Sequence, residues 1–299
     1  MNFFLYINNR KDKNFSVAEK AAEYLIEKGA DFYIENSMKD AVSDIKILSQ
    51  AHFLSLNECI KLSDAAIVIG GDGTILKASK ILYGTGIPIV GINLGKVGYM
   101  SELEKDEICH LEALFESEEN NICIDERMML SCKVIRGDKG VYKNVCLNEA
   151  VIGKGDIARM VDIELSLDGE VIAKYQCDGI IAATPTGSTA YSMSAGGAII
   201  DPKIECISVV PLCPYLCINS SPIIFSKESV IEIRYKEQRG NSAYISVDGE
   251  EGFRLMDGDT IVISKAEHNT KLLRFKKTDF YKLLNTKLTN RISELADKN

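Results

Sequence analysis

The sequence predicts an α/β domain built on a parallel sheet, followed by an all-β, sandwich-like domain. Three observations carry this. In the first hundred residues, short apolar runs alternate with helix-forming stretches, the rhythm of strand, helix, strand. Beyond residue 100 the apolar residues recur with period two, and Asp-Gly pairs separate the segments. A chain of 299 residues is also long for one core and comfortable for two.

Phe3 to Ile7 reads as the first strand. Ser16-Val17-Ala18-Glu19 has the spacing of a capping box and opens a helix that Gly29 stops. Phe32 to Ile34 is a second short strand, and a polar helical stretch begins near Asp40. Ala65 to Ile69 is continuously apolar, as expected of a strand covered on both faces of a parallel sheet. A helix from Thr74 to Leu82, the turn Gly84-Thr85-Gly86 and a strand from Ile87 to Ile92 complete the pattern. After a helix around Ile108 to Phe115 come alternating segments: Met129 to Val134, Val161 to Leu167, Val171 to Tyr175, Val230 to Tyr235, Ala243 to Val247 and Thr260 to Ser264. Asp168-Gly169, Asp248-Gly249 and Asp257-Gly258 are tight-turn signals between them. A strand near Leu272 to Phe275 and a helix from about Asp279 to Leu295 form a tail expected to rejoin the first domain. The expected division is therefore 1–100 plus a tail of about 267–299, and 101–266.

Composition excludes several classes. Against 35 basic residues stand 43 acidic ones, a net charge of -8 with no basic stripe, so a wide nucleic-acid footprint is not expected. The three histidines, His52, His110 and His268, are too scattered for a histidine metal site or triad. Nine cysteines without paired CxxC units make neither a disulfide framework nor a zinc site. Cys213 and Cys217 read as ordinary buried thiols. The first residues lack the basic start of a signal peptide, and no apolar run approaches the ~18 residues of a membrane helix. A cytoplasmic protein without membrane partners is expected.

Gly70-Gly71-Asp72-Gly73-Thr74 lies between the buried strand and the next helix. A hairpin turn is disfavoured because Ile75-Leu76-Lys77-Ala78 continues as helix. Glycines there let backbone approach an anion, and the helix start offers free N–H groups. An aspartate among them would hold a hydroxyl or metal beside the phosphates, or take a proton. A second feature follows the strand-like run 178–183: Thr184 to Gly197 crowds six Ser/Thr hydroxyls and three glycines into fourteen residues. Either it caps a helix, or its small donors recognise a polar ligand. Asn148-Glu149, at the end of a strand, reads equally as turn or site. No GxxxxGK[ST] loop exists, and the GxGxxA letters at Gly153 to Ala158 precede a strand rather than a helix.

Together these blocks, in this order, resemble the NAD kinases: Gly-Gly-Asp-Gly-Thr at 70–74, Asn-Glu at 148–149 and Thr-Pro-Thr-Gly-Ser-Thr-Ala-Tyr-Ser at 184–192. Asn93 to Tyr99 is similar to the family's Leu-Gly-x-Leu-Gly-Phe block. The likeness runs from the first strand to about Ser264. It implies an N-terminal domain of the phosphofructokinase and diacylglycerol-kinase type, a β-rich NAD-binding and oligomerisation domain, and a site between them. It implies transfer of the γ-phosphoryl of ATP to the adenosine ribose 2′-hydroxyl of NAD, with Asp72 as the base. Gly70, Gly71, Gly73 and Thr74 would present backbone donors to phosphate, with Lys77 as charge partner. Asn148 and Glu149 would hold adenine and ribose. Thr189, Ala190, Tyr191 and Ser194, within a loop that also carries Thr186, Ser188 and Ser192, would frame the adenosine. Asp178 would meet the nicotinamide end, and Arg159 the dinucleotide. Magnesium would ride on the nucleotide phosphates rather than in a protein-built site, and a homodimer or homotetramer is implied. Gln176, Tyr215, Ser221 and Glu250 depart from the family's usual Arg or Lys, His, Arg and Gln. A diacylglycerol-type lipid kinase shares the first motif but calls for Gly-Thr-Gly-Asn-Asp where this chain has Asn93-Leu94-Gly95-Lys96. A non-catalytic dinucleotide sensor is the other alternative.

Overall fold

A computed structural model describes residues 1–95, 98–116, 122–156, 159–215, 220–237, 240–275, 280–286 and 289. Contacts divide the chain into two units, Met1–Glu126 with Thr270–Asn299, and Arg127–Asn269. The first unit therefore also takes in the segment 101–126.

The first unit is a sheet in the order His52–Leu54, Asp31–Glu35, Asn2–Ile7, Ala65–Gly70, Ile89–Asn93, Thr270–Arg274, Cys123–Arg127, with Leu103–Glu104 also paired to Ile89–Asn93. The central strands pair in parallel. Ala65–Gly70 is buried at every residue because both sheet faces are covered, which is why it reads as an unbroken apolar run. Leu272 of the C-terminal segment pairs with Ile89 in parallel. Residues 280–286 are helical; the rest of the helix expected over 279–295 lies outside the described residues, apart from 289.

Four local expectations are corrected. Helix Ser16–Glu27 turns Val17, Ala18, Ala21, Ala22 and Leu25 to the core, but Ser16 does not cap it. Asp12 does, accepting from Val17 N and Ala18 N at 3.4 and 3.0 Å while Phe15 adopts a left-handed φ of 53°. A true capping box forms at Ser55 and Glu58 instead, ahead of helix Leu56–Leu62. Near Asp40 only the short helix Lys39–Val42 forms, and Ile108–Leu114 is a 3₁₀ helix. Cys213 is exposed rather than buried, since it occupies a left-handed bend just past strand Cys206–Leu212; Cys217 lies outside the described residues.

The second unit is two six-stranded antiparallel sheets. One runs Ile223–Ser226, Cys206–Leu212, Gly179–Ala183, Glu149–Lys154, Ala243–Val247, Phe253–Leu255. The other runs Glu170–Cys177, Val161–Leu167, Ile231–Lys236, Thr260–Lys265, Leu130–Arg136, Lys139–Cys146. Their inner faces share one core, with Ile152, Ile180 and Ile245 from the first against Val134, Ile163 and Ile263 from the second. Asp168 and Gly169 both take left-handed φ and close a two-residue hairpin, as the Asp-Gly signal requires. Cys206–Leu212 is a central strand buried along nearly its whole length, and the central strand Glu149–Lys154 is buried at Glu149, Ala150 and Ile152 without alternating, so period-two reading passes over both.

Candidate active site

In the first unit the helix Asp72–Ile81 starts directly where the buried strand ends, with Gly71 as its extended N-cap. Thr74 is buried; its hydroxyl oxygen accepts from Gly71 N at 3.4 Å and from Asn8 Nδ2 at 2.9 Å. A Cβ on Gly70 would overlap that hydroxyl, so the residue must be glycine for the turn to close. Asp72 is half-buried, and its carboxylate accepts from Tyr99 N at 2.9 Å and Met100 N at 3.2 Å. Gly98 packs against the same carboxylate, where a Cβ would collide with Oδ1. Gly98 and Tyr99, at the end of the Asn93 to Tyr99 block, thus hold Asp72 together with Met100; Lys96 and Val97 lie outside the described residues. Gly73 and Lys77 are exposed one turn apart on the helix.

Sequence reading missed two neighbours of this turn, Asn8 and Lys11. The Lys11 ammonium stands over the Gly71 backbone, 2.7 Å from where a Cβ would sit. The signal was available: both follow the first strand at its carboxyl end, where ligands of parallel sheets bind.

In the second unit Asp248 organises the Asn148-Glu149 turn. Its carboxylate accepts from Leu147 N, Asn148 N and Glu149 N at 2.9, 2.8 and 3.1 Å. Thr184 N donates to the Asn148 carbonyl at 2.8 Å and Thr184 Oγ1 to the Leu147 carbonyl at 2.5 Å. Gly187 packs so closely on the Asn148 backbone that a Cβ would overlap its carbonyl. Three segments far apart in sequence are thereby fastened together. Glu149 is 8% exposed and its Oε2 has no partner. Burial, then the Asp248 charge, push its carboxyl up to about 7, against a hydrogen bond from the Tyr191 backbone. A carboxyl shifted this far can carry a proton near neutral pH and so donate as well as accept.

The hydroxyl-rich loop divides its labour. Ser188 and Thr189 bond to backbone inside the loop, Ser188 to Pro185 O at 2.6 Å and Thr189 to Thr186 O at 3.2 Å, while Thr184 Oγ1 accepts from Gly187 N at 3.0 Å and donates to Leu147 outside it. Thr186 Oγ1 accepts from buried Arg127 at 3.4 Å. Ser192 Oγ is buried without a partner, whereas Tyr191 and Ser194 are exposed and Ala190 is partly so. Much of this hydroxyl density therefore builds the loop itself. Asp178 accepts from Lys154 Nζ at 2.6 Å, an ion pair not anticipated from sequence. Arg159 is exposed, and its charge contributes to holding Asp156 below the usual carboxylate range, after the Ser242 backbone and side-chain hydrogen bonds. Among the described residues no three His, Cys, Asp or Glu side chains are grouped to hold a metal ion.

An acid at the head of a helix, directly after a glycine turn, is an arrangement suited to phosphoryl transfer, the chemistry of a kinase. The chain matches the ATP-NAD kinase N-terminal domain over residues 3–118 and the ATP-NAD kinase C-terminal domain over residues 147–275. It is 36% identical to an NAD kinase of Natranaerobius thermophilus over 94% of this chain and 96% of that one. It is 39% identical to an NAD kinase of Geobacter metallireducens over 81% and 87%. Among solved structures, an NAD kinase from Archaeoglobus fulgidus in complex with ATP superposes with a TM-score of 0.72 at 25% identity, over 97% of this chain and 99% of that one. A yeast NADH kinase complexed with NADH shares the fold, with a TM-score of 0.83 at 22% identity over 95% and 86%. The chain belongs to the NAD kinase family and is an ATP-dependent kinase; the lipid-kinase and sensor readings are not favoured.

Proposed function

We propose that Asp72 is the general base of the family's reaction, removing the proton of the adenosine ribose 2′-hydroxyl of NAD as its oxygen attacks the γ-phosphorus of ATP. The products are NADP and ADP, with the proton on the carboxyl. The observation that carries this is the placement of the carboxylate, held by the Tyr99 and Met100 backbone at the start of the helix. Those two bonds fix where both carboxylate oxygens stand at the head of the helix. Phosphoryl transfer depends chiefly on such positioning.

Gly70, Gly71, Gly73 and Thr74 are assigned to the phosphates, with Lys77 as exposed charge partner. Asn148 and Glu149 take adenine and ribose, and the unpartnered Glu149 Oε2 supports a polar ligand there. Thr189, Ala190, Tyr191 and Ser194 frame the adenosine, and Asp178 and Arg159 meet the rest of the dinucleotide. Magnesium would be held by the nucleotide phosphates, where it would offset charge on the transferring group.

A homodimer or homotetramer through the β-rich unit is supported by exposed Val171, Ile172 and Ile224 on its strands. A cytoplasmic location is supported by the free thiols of all eight described cysteines; separately, no described helix is long and apolar enough to cross a membrane. The deciding assay is NADP formation from ATP, magnesium and NAD, beside Asp72→Asn. The substitution is expected to lower kcat about a hundredfold or more. NADP formation undiminished in Asp72→Asn refutes the base, and a solution mass of one chain refutes the oligomer.

A further inference from the structure

Asp72 is held by the backbone of Tyr99 and Met100, so whatever fixes that segment fixes the carboxylate. Arg274, in the strand that returns from the C-terminus, does so. Its guanidinium Nη1 donates to the Met100 carbonyl at 3.1 Å, the Ser101 carbonyl at 3.1 Å and Glu102 Oε2 at 3.3 Å. Nε donates to Asp125 Oδ2 at 3.1 Å, and the neighbouring Phe275 N donates to Glu102 Oε1 at 2.8 Å. Met100 is the relay: its N–H points to Asp72 and its C=O to Arg274. The bracket is buried, with the Arg274 and Glu102 side chains 10% and 2% exposed. Glu102 N also donates to Gly91 O at 2.9 Å, tying the segment to the neighbouring strand.

We propose that Arg274 is a positioning residue for the kinase reaction, setting the Asp72 carboxylate through the backbone of Met100 and Ser101; this rests on Asp72 being the base. Arginine suits the task because its planar fork serves two carbonyls and two carboxylates at once in one orientation. Lysine carries the same charge as a point donor. It can still face Glu102 and Asp125, but it cannot serve all four acceptors in a fixed plane. With lysine the segment stays folded and charge-balanced while the backbone donors to Asp72 lose their fixed direction.

The experiment is a double-mutant cycle on the full chain, made of Arg274→Lys, Asp72→Asn and the pair, with steady-state kcat and KM for ATP and NAD and a thermal melt for each. Arg274→Lys is expected to lower kcat at least tenfold, since small misplacements of reacting groups cost that much. Both KM values stay within about twofold, because no substrate contact is removed. In the Asp72→Asn background the same substitution is expected to change kcat by less than about twofold, because the group it acts through is gone. The inference is overturned if kcat is unchanged in Arg274→Lys, if KM rises in place of a fall in kcat, or if the loss is equally large in the Asp72→Asn background. Should Arg274→Lys not fold, Asp125→Asn frees the outer side of the guanidinium and enters the same cycle, with a kcat loss of about threefold expected only when Asp72 is present. Undiminished kcat in Asp72→Asn removes the base reading and this inference with it; a failed cycle beside an impaired Asp72→Asn removes this inference alone.

Discussion

Replacing Glu149 by Gln is expected to stabilise the sandwich unit progressively as pH rises, although it removes a side chain of the candidate site. Glu149 is 8% exposed, with one carboxylate oxygen unpartnered and the Asp248 charge beside it, so its carboxyl moves from 4.5 up to about 7. A raised pKa means that the folded chain holds a proton the unfolded chain has released. This group's contribution is therefore greatest below about pH 4.5, falls as pH rises toward 7, and is flat above. The difference between 4.5 and about 7 corresponds to roughly 3 kcal/mol. Gln has nearly the shape of the protonated acid and does not titrate. The stability of Glu149→Gln relative to the parent should thus grow by roughly 2–3 kcal/mol between about pH 5 and pH 8. Urea unfolding followed by far-UV circular dichroism measures it, since the chain has no tryptophan to report by fluorescence. A relative stability constant within about 0.5 kcal/mol over that range would refute the account of why Glu149 titrates high.

Other substitutions probe the close approaches. Gly187→Ala places a Cβ on the Asn148 carbonyl and should cost about 1–3 kcal/mol in denaturant unfolding, with a raised KM for NAD. Gly98→Ala pushes on Asp72 Oδ1; kcat should fall about tenfold with the melting temperature nearly kept. Lys154→Met leaves Asp178 without its ion-pair partner, and a several-fold change in KM for NAD with unaltered kcat is the expected kinetic signature. Asp12→Ala removes the acceptor for Val17 N and Ala18 N, and chemical denaturation should register about 1 kcal/mol.

The features legible in sequence were those whose cause is local. A strand buried on both faces must be apolar throughout, so Ala65–Gly70 is visible without a partner. The glycine turn after it, and the Asp168-Gly169 hairpin, depend on backbone conformations that few residue types adopt. Where several local solutions compete, reading failed: Ser16 had the capping spacing, yet the Asp12 side chain reached the helix start first and left Ser16 as an ordinary helical residue. The loop 184–194 illustrates the same limit. Its hydroxyls mark it as unusual, but only the folded loop shows that Ser188 and Thr189 bond internally, that Thr184 reaches out to Leu147, and that Ser192 is buried without a partner.

By itself the sequence determined the two kinds of domain, the position of the phosphate-type turn and the family. The tertiary structure decided how the reactive groups are held. Asp72 takes its donors from residues 27 and 28 positions away, the Asn148-Glu149 turn takes its acceptor from Asp248 about a hundred away, and Arg274 reaches back more than 170. The physical reason is that burial and backbone preference repeat with a period and leave a pattern along the chain. A hydrogen bond between distant segments has no period; only sheet order and register bring its partners together.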